Sequence, residues 1–284
     1  MSAIDLNHLR SWIGKSRSDE DVIATRHARL MAATVDYGAA ERIRDGERLP
    51  PVWHWLYFLE GPPTSTLGRD GHPARGGFLP PVPLPNRMWA GGRVALLAPV
   101  PIGATVRKTS TILKVDHKQG RSGDLVFVTV QHELTSSQGE TLLREEQDLV
   151  YKDATPPSQK ASAPVTPPAA PHTKSYTPTP PMLFRYSALT FNGHRIHYDV
   201  DYCRDVEGYR DLVVHGPLNA TMLADYAEEA SGRLLREFNY RGVSPALLGG
   251  AITLRAKPVD EHNLALHATL EDGAVCMQAE AVLA

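Results

Sequence analysis

The sequence predicts an α+β protein built in two halves, and three observations support this class. Hydrophobic residues make up 42% and charged residues 22% of the 284 residues, a balance typical of a soluble globular protein. A proline-rich segment divides the chain, and on both sides of it helix-type periodicity is followed by strand-type alternation. Helices followed by a run of antiparallel strands favour a sheet that wraps one long helix.

Charge indicates which binding partners are expected, and cysteine content indicates the cellular compartment. The 30 basic and 32 acidic residues leave a net charge of -2, which gives no electrostatic reason to expect nucleic acid or an anionic membrane as partner. No apolar run approaches the roughly 20 residues that span a bilayer, and the first residues lack the pattern of a secretory signal. Cys203 and Cys276 are too far apart for a CxxC motif. We therefore expect a cytoplasmic protein with two free thiols.

The dividing segment covers residues 154–181, where nine of 28 residues are proline. Such a segment buries too little apolar surface to offset its ordering entropy, and it favours extended conformations. It predicts a linker between an N-terminal domain, residues 1–153, and a C-terminal domain, residues 182–284. A tightly packed irregular connection is the alternative.

In the first half, helical spacing of apolar residues predicts helices over 4–13 and 21–35. The aromatic stretch at 53–59 should be buried, and the Gly/Pro-rich stretch at 61–85 should form a long loop. Alternating and β-branched residues then predict strands over 94–100, 104–115, 125–134 and 141–151.

In the second half, residues 182–191 have a strand-like pattern and are followed by a loop rich in histidine. An amphipathic helix is predicted over 217–235, with Pro217 in its first turn. The remaining strands are predicted over 247–257, 264–270 and 275–283.

The loop between these elements holds the densest group of reactive side chains. It reads Asn192-Gly193-His194-Arg195-Ile196-His197-Tyr198-Asp199 and ends with His215-Gly216-Pro217. Three of the chain's 12 histidines therefore fall within 22 residues. Imidazole titrates close to neutral pH, so such a loop is suited to proton transfer.

This segment resembles the motif of the MaoC-like (R)-specific hydratases and hydroxyacyl-thioester dehydratases, which have the hotdog fold. The resemblance implies that His197 is the catalytic acid/base and that the backbone N–H of Gly216 receives the thioester oxygen. Addition of water builds enolate charge on that oxygen, and an N–H at a helix N-terminus stabilises such charge. Asn192 stands where the family has an Asp and can orient water without accepting a proton. Asp199 is expected to hold the imidazole in one tautomer.

A more specific resemblance extends over nearly the whole chain. The stretches Arg185 to His197, Arg87 to Arg93 and Gly120 to Gly123 are similar to mesaconyl-C4-CoA (3-methylfumaryl-CoA) and itaconyl-CoA hydratases. This similarity implies a double hotdog, in which the C-terminal unit is catalytic and a degenerate N-terminal unit shapes the acyl pocket. It also implies reversible hydration of a C5 dicarboxylic enoyl-CoA to citramalyl-CoA, as in itaconate degradation.

Such a substrate needs a cation for its distal carboxylate, and Arg87 and Arg93 are the candidates because guanidinium binds carboxylate in a bidentate manner. Either arginine could instead pair with a structural carboxylate. Trp89 is expected to form the pocket wall or core. His194 is expected to orient the loop, because a His194-x-x-His197 metal pair has no third ligand nearby in the sequence.

No metal or redox cofactor is therefore expected, and coenzyme A enters only as part of the substrate. A homodimer or a monomeric double hotdog fits this organisation. The alternatives are a general (R)-specific enoyl-CoA hydratase or acyl-carrier-protein dehydratase, a non-catalytic acyl-CoA-binding module and, more weakly, a hotdog thioesterase.

Overall fold

The computed structural model describes residues 4–73, 76–120, 123–153, 167 and 169–284. The helices are α1 (Leu6–Arg10), α2 (Thr25–Thr34), α3 (Pro180–Leu189), α4 (Val200–Tyr202) and α5 (Gly216–Ser231). The strands are β1 (Ser16–Val22), β2 (Asn86–Leu96), β3 (Thr105–Gly120), β4 (Gly123–Ser136), β5 (Thr141–Lys152), β6 (His172–Tyr176), β7 (Leu235–Gly242), β8 (Ile252–Pro258), β9 (Asn263–Thr269) and β10 (Val275–Leu283).

The strands form one continuous antiparallel sheet within the described residues, in the order β1-β3-β4-β5-β2-β7-β10-β9-β8-β6. The first five strands come from the first half of the chain and the last five from the second half. The halves join where β2 pairs with β7, from Gly91 opposite Arg241 to Ala95 opposite Glu237. A Cβ atom on Gly91 would lie 2.5 Å from the carbonyl oxygen of Tyr240, so glycine permits this close seam.

Helix α5 fills the concave face of the second half-sheet and contacts β7, β8, β9 and β10. Its buried residues include Leu218, Met222 and Leu223, the apolar positions that predicted an amphipathic helix. Gly232, with φ +66°, ends the helix because this left-handed conformation is readily adopted by glycine. The predicted end at residue 235 is therefore too late, and β7, which the sequence analysis missed, begins there.

The first half-sheet contains no comparably long helix in the part of the chain that is described. Its face is covered by the aromatic segment, where Trp53 and Leu56 are 1% and 2% exposed, so the predicted burial is confirmed. The predicted strands at 94–100, 104–115, 125–134 and 141–151 correspond to β2, β3, β4 and β5. Strand β1 was not predicted because most of its side chains are polar and exposed at the sheet edge.

The strand predicted over 182–191 is wrong, because this segment forms α3. The Thr179 side chain accepts a hydrogen bond from the backbone N–H of Met182, and prolines occupy the first turn. The buried residues Leu183, Tyr186 and Leu189 follow a helical period.

The predicted linker also ends too late. His172–Tyr176 form β6, which pairs with β8, so the second half-sheet begins within the range 154–181. Residues 154–166 and 168 lie outside the described residues. None of the described helices is long and apolar enough to cross a membrane.

Candidate active site

The histidine-rich loop links α3 to α5 and folds back over the first turn of α5. His197 closes a short 3₁₀ turn, Arg195–His197, and His215 immediately precedes Gly216, the first residue of α5. The His197 and His215 rings are stacked with centroids 3.6 Å apart. The fold thus places the proton-transfer candidate directly beside the helix N-terminus, as the motif predicted.

His197 is held in one tautomer by the backbone. Its ring is 7% exposed, and its Nδ1–H donates to the carbonyl oxygen of Val213 at 2.7 Å. A carbonyl can only accept, so Nδ1 carries the proton and Nε2 carries the lone pair. Burial lowers the pKa of His197 to about 4. Near pH 7 the side chain is therefore neutral, and Nε2 is ready to accept a proton.

His215 supports this arrangement. It is buried, its Nε2 is hydrogen-bonded to Ser187 Oγ at 2.8 Å, and its ring makes an edge contact with Tyr186. Burial holds the pKa of His215 well below its ordinary value. A neutral, fixed ring at this position provides a flat surface on which His197 stacks.

Gly216 and Trp89 are in contact at the start of α5. The first N–H groups of a helix have no partner within the helix and lie at the positive end of its dipole. A Cβ atom on Gly216 would lie 3.0 Å from Cε3 of Trp89, so the indole ring lies against this turn. Trp89 in turn stacks on Tyr240, with centroids 4.6 Å apart.

Asn192 shapes the entrance to the loop. Its Oδ1 accepts a hydrogen bond from the backbone N–H of His194 at 2.9 Å, which orients the side-chain amide. Its backbone N–H donates to the carbonyl oxygen of Ser187 at 2.8 Å, which fixes the main chain at this position. Its role in holding water remains a prediction.

Asp199 does not hold the imidazole, which corrects the sequence-based expectation. Its carboxylate accepts from Arg195 at 2.7 and 3.0 Å and from the backbone N–H of Tyr202 at 2.9 Å. It therefore caps α4 and braces the loop, and the carbonyl of Val213 fixes the tautomer.

The two arginine candidates differ in their surroundings. Arg93 is half-exposed and forms ion pairs with Glu146 and Asp148 at 3.0 and 2.9 Å, the structural alternative that the sequence left open. Arg87 is partly buried on β2, and no hydrogen bond or ion pair to it occurs among the described residues. Burial is the main cause that lowers the pKa of His194, and the positive charge of Arg87 is a smaller cause, so Arg87 lies near the loop. Arg87, not Arg93, is therefore the candidate for a substrate carboxylate.

The long loop predicted at 61–85 reaches the histidine loop, a contact that the sequence analysis did not predict. Gly71 packs directly on the catalytic loop, since a Cβ atom there would lie 2.0 Å from the carbonyl oxygen of Gly193. The backbone N–H of Arg195 donates to the carbonyl of Asp70 at 2.9 Å. The long loop of the first half thus docks on the second half at the site.

This loop brings Asp70 and His72 beside His194. His72 Nδ1 lies 2.9 Å from Asp70 Oδ2, and the His72 and His194 rings have centroids 4.2 Å apart. One ligand atom from each of the three residues lies within 4.8 Å of the others, and this donor set suits a divalent metal such as zinc. The sequence Asp70-Gly71-His72 within a Gly/Pro-rich loop was the available signal for this group.

A cavity of about 400 Å³ lies at the other end of β2 and includes Leu97, Val100, Leu234 and His54 in its lining. None of the site residues lines it, so it adds nothing to the chemistry of the loop.

The sequence and the fold both resemble known proteins. The profile of the family "Hydroxyacyl-thioester dehydratase type 2" matches residues 52–248. The chain is 41% identical, over 95% of each protein, to the mesaconyl-C(4)-CoA hydratase of Chloroflexus aurantiacus. It is 28% identical to the mitochondrial hydroxyacyl-thioester dehydratase type 2 of Schizosaccharomyces pombe, over 70% of the chain and 75% of that relative.

Among solved structures, a MaoC-like dehydratase from Phytophthora capsici superposes with a TM-score of 0.72 at 14% identity, covering 99% of each chain. HtdX of Mycobacterium tuberculosis gives a TM-score of 0.64 at 13% identity, covering 93% of this chain and 99% of that one. These likenesses confirm the predicted double hotdog fold.

Proposed function

Because the chain belongs to the hydroxyacyl-thioester dehydratase type 2 family of MaoC-like hotdog proteins, we propose that it hydrates a C5 dicarboxylic enoyl-CoA reversibly. It is a hydratase-type enzyme of the hydro-lyase class. Mesaconyl-C4-CoA is the first candidate substrate and itaconyl-CoA, as in itaconate degradation, the second, with citramalyl-CoA as product. The observation that carries this proposal is a neutral, tautomer-fixed His197 stacked beside the N-terminus of α5.

The geometry supports acid–base hydration. Nε2 of His197 takes a proton from a water molecule, and the resulting hydroxyl adds to C3 of the enoyl group. The electrons of the double bond move toward the thioester oxygen, whose charge is stabilised by the N–H of Gly216 and the dipole of α5. The protonated His197 then gives its proton to C2, which completes the addition of water and returns His197 to its neutral form. Asn192 orients the water. Because enolate charge develops mainly in the transition state, this stabilisation accelerates the reaction.

Two observations support a dicarboxylic substrate. The 41% identical relative is named for mesaconyl-C4-CoA. In addition, Arg87 lies on β2 two residues before Trp89, and neither hydrogen bond nor ion pair engages it within the described part of the chain. A guanidinium at this place would pair with the distal carboxylate of the acyl group.

The test compares hydration of mesaconyl-C4-CoA, itaconyl-CoA and crotonyl-CoA, which has no distal carboxylate, with products identified by mass. We expect kcat/KM to favour a dicarboxylic substrate. Arg87→Gln should lower that kcat/KM by about 10- to 100-fold, because a charge-assisted hydrogen bond contributes about 1.5–3 kcal/mol, and should leave crotonyl-CoA turnover unchanged. Arg93→Gln is the matched control on the same strand and should retain the preference.

A preference for crotonyl-CoA would point to a general (R)-specific hydratase. Binding of the thioesters without turnover would point to an acyl-CoA-binding module. We also propose that no metal or redox cofactor takes part and that the protein works in the cytoplasm. Turnover that persists after dialysis against a chelator is the expected result for the first of these.

A further inference from the structure

Three side chains with metal-binding atoms meet where the two halves of the chain touch. Asp70 and His72 come from the long loop of the first half, and His194 comes from the histidine loop of the second half. One ligand atom of each residue lies within 4.8 Å of the other two. The His194 ring lies 5.5 Å from the ring of His197, so the group borders the site, and the hydration described above does not use it.

The turn that carries Asp70 and His72 is fixed by its own backbone. The N–H of Gly68 donates to the carbonyl oxygen of His72 at 2.7 Å, and the N–H of Gly71 donates to the carbonyl oxygen of Gly68 at 2.9 Å. Gly71 has φ +87°, a conformation that glycine adopts readily. The two side chains are therefore positioned relative to each other before any ion binds.

The histidine loop is held against this turn in the same way. The backbone N–H of His194 donates to Oδ1 of Asn192 at 2.9 Å. The backbone N–H of Arg195 donates to the carbonyl oxygen of Asp70 at 2.9 Å. The His72 and His194 rings have centroids 4.2 Å apart. Main-chain hydrogen bonds thus place the third side chain beside the first two.

The distances suit a tetrahedral ion. Zinc bonds of about 2.0–2.1 Å to nitrogen and oxygen place two ligand atoms of one ion about 3.4 Å apart. Oδ2 of Asp70 and Nδ1 of His72 are already 2.9 Å apart. All three side chains are half-buried, and a shift of about 1–1.5 Å would bring the ligand atom of His194 into this range.

We propose that Asp70, His72 and His194 bind one zinc ion, with water in the fourth position, and that the ion fastens the first-half loop to the histidine loop. This inference goes beyond the proposed hydration, in which the ion takes no part. A single ion would cross-link two loops that lie far apart in the sequence. Separation of the two loops would then require release of the ion.

The surrounding charges decide which ion binds. Arg87 and Arg195 lie near the group and oppose any cation, whereas Asp70 supplies one negative charge. Magnesium and calcium depend on several oxygen ligands, and this group offers a single carboxylate. Zinc is bound well by imidazole nitrogen, which the group offers twice. We therefore expect zinc to bind and magnesium not to bind.

Zinc binding is measured on the full-length protein after its metal has been removed with a chelator and the chelator dialysed away. We expect calorimetric titration with zinc chloride to give one strong site per chain, and magnesium chloride to give none at the same concentration. Cobalt(II) in place of zinc should give the visible absorption of a tetrahedral site. Neither readout uses enoyl-CoA turnover, so the result stands even if the proposed function fails.

His72→Asn removes one ligand and keeps a polar side chain. It should weaken zinc binding by about 100-fold or more, because even the outer partners of metal ligands contribute about 10- to 100-fold. His72→Cys restores a zinc ligand and should recover the binding. The matched control is His117→Asn, since His117 also pairs with an aspartate, Asp124, at 2.7 Å, and no third ligand joins that pair among the described residues. It should bind zinc as the wild type does.

Hydrogen exchange tests the link between the loops. Zinc should slow amide exchange in peptides that cover 68–72 and 192–197 of the wild type and should leave both unchanged in His72→Asn. A wild type that binds no zinc, or that binds it no more tightly than His72→Asn, would overturn the assignment of the ligands. Zinc binding that leaves exchange in either loop unchanged would overturn the cross-link.

Discussion

The two halves of the chain have the same sheet architecture but enclose different interiors. The second half-sheet wraps α5, a helix of 16 residues whose N-terminus lies at the histidine loop. The first half-sheet instead covers the aromatic segment Trp53–Leu56 and a buried carboxylate, Glu145, which is 1% exposed. One interior holds a helix whose N-terminus lies at the histidine loop, and the other is filled by packed aromatic rings.

The buried carboxylate ties the two halves together. Glu145 accepts hydrogen bonds from His54 at 2.8 Å, Trp55 at 3.0 Å and Tyr240 at 3.2 Å, and Tyr240 belongs to the second half. Burial opposes ionisation, but the hydrogen bond and charge of His54 outweigh it and lower the pKa of Glu145 to about 2. The comparison teaches that the first half supports the site: it fixes β2, which carries Arg87 and Trp89, and supplies the Asp70–His72 loop.

The largest expected effect is on kcat, and it should differ between histidines of the two halves. His197→Gln should lower kcat by about 10²- to 10⁴-fold with little change in KM, because glutamine cannot accept the water proton. His132→Gln replaces a histidine of the first half, bonded to Ser110 at 2.8 Å, and should stay within about threefold of wild type. Steady-state kinetics of both variants tests this prediction. Equal losses of kcat would contradict the assignment of catalysis to the second half.

The next effect is on the free energy of unfolding, to which the buried carboxylate of the first half should contribute strongly. Glu145→Ala leaves buried donors without their acceptor and should lower the free energy of unfolding by about 3–5 kcal/mol. Its neighbour Glu146 forms only a half-exposed ion pair with Arg93, so Glu146→Ala should cost about 1 kcal/mol or less. Denaturant unfolding of both variants tests this. Similar losses would show that Glu145 does not support the seam.

A smaller effect is expected at the boundary between the halves. Gly216→Ala places a methyl group 3.0 Å from the Trp89 ring, which must shift away from the start of α5. We expect kcat/KM to fall about 10- to 100-fold, in keeping with displacement of one oxyanion donor. Gly38→Ala is the control, because a Cβ atom there meets no atom within 4 Å. An unchanged kcat/KM in Gly216→Ala would show that the Trp89 ring can move away without affecting the reaction.

A final expected effect is a pH dependence of stability that both halves share. Burial lowers the pKa values of His197 and His132 from 6.5 to about 4. Between those values the unfolded chain binds protons that the native protein does not, so stability is lost as the pH falls from 6.5 toward 4. Each group contributes up to about 1.4 kcal/mol per pH unit.

Thermal melts between pH 7.5 and 4.5 measure how the stability changes with pH. Carboxylates such as Glu145 change the stability mainly below pH 4.5, so they affect this range little. His132→Gln should reduce the slope while leaving the contribution of His197. A melting temperature that stays constant over this range would contradict the assignment of both histidines as buried and neutral.

In the second half, the motif from Asn192 to Gly216 predicted the site through its resemblance to a known family, and the structure shows why these residues lie together. The separation of His197 from Gly216, with Pro217 next, sets a ring and a helix start close together, because both belong to one loop and the helix that follows it. Strand alternation likewise predicted β3, β4, β5, β9 and β10. The prediction failed for α3, because a short apolar run is compatible with both helical and strand periodicity. It also failed for β1, because its exposed residues are mostly polar and give no apolar alternation.

What the sequence determined by itself is the α+β class and the position of His197 beside the N-terminus of α5, since these depend on neighbours in the chain. Only the tertiary structure distinguished Arg87 from Arg93: a register shift between Trp89 and Gly91 inserts one residue and places the two side chains on opposite faces. Only the tertiary structure brought Asp70 and His72 to His194, because contact between distant loops follows from how the two half-sheets pack and not from any local period.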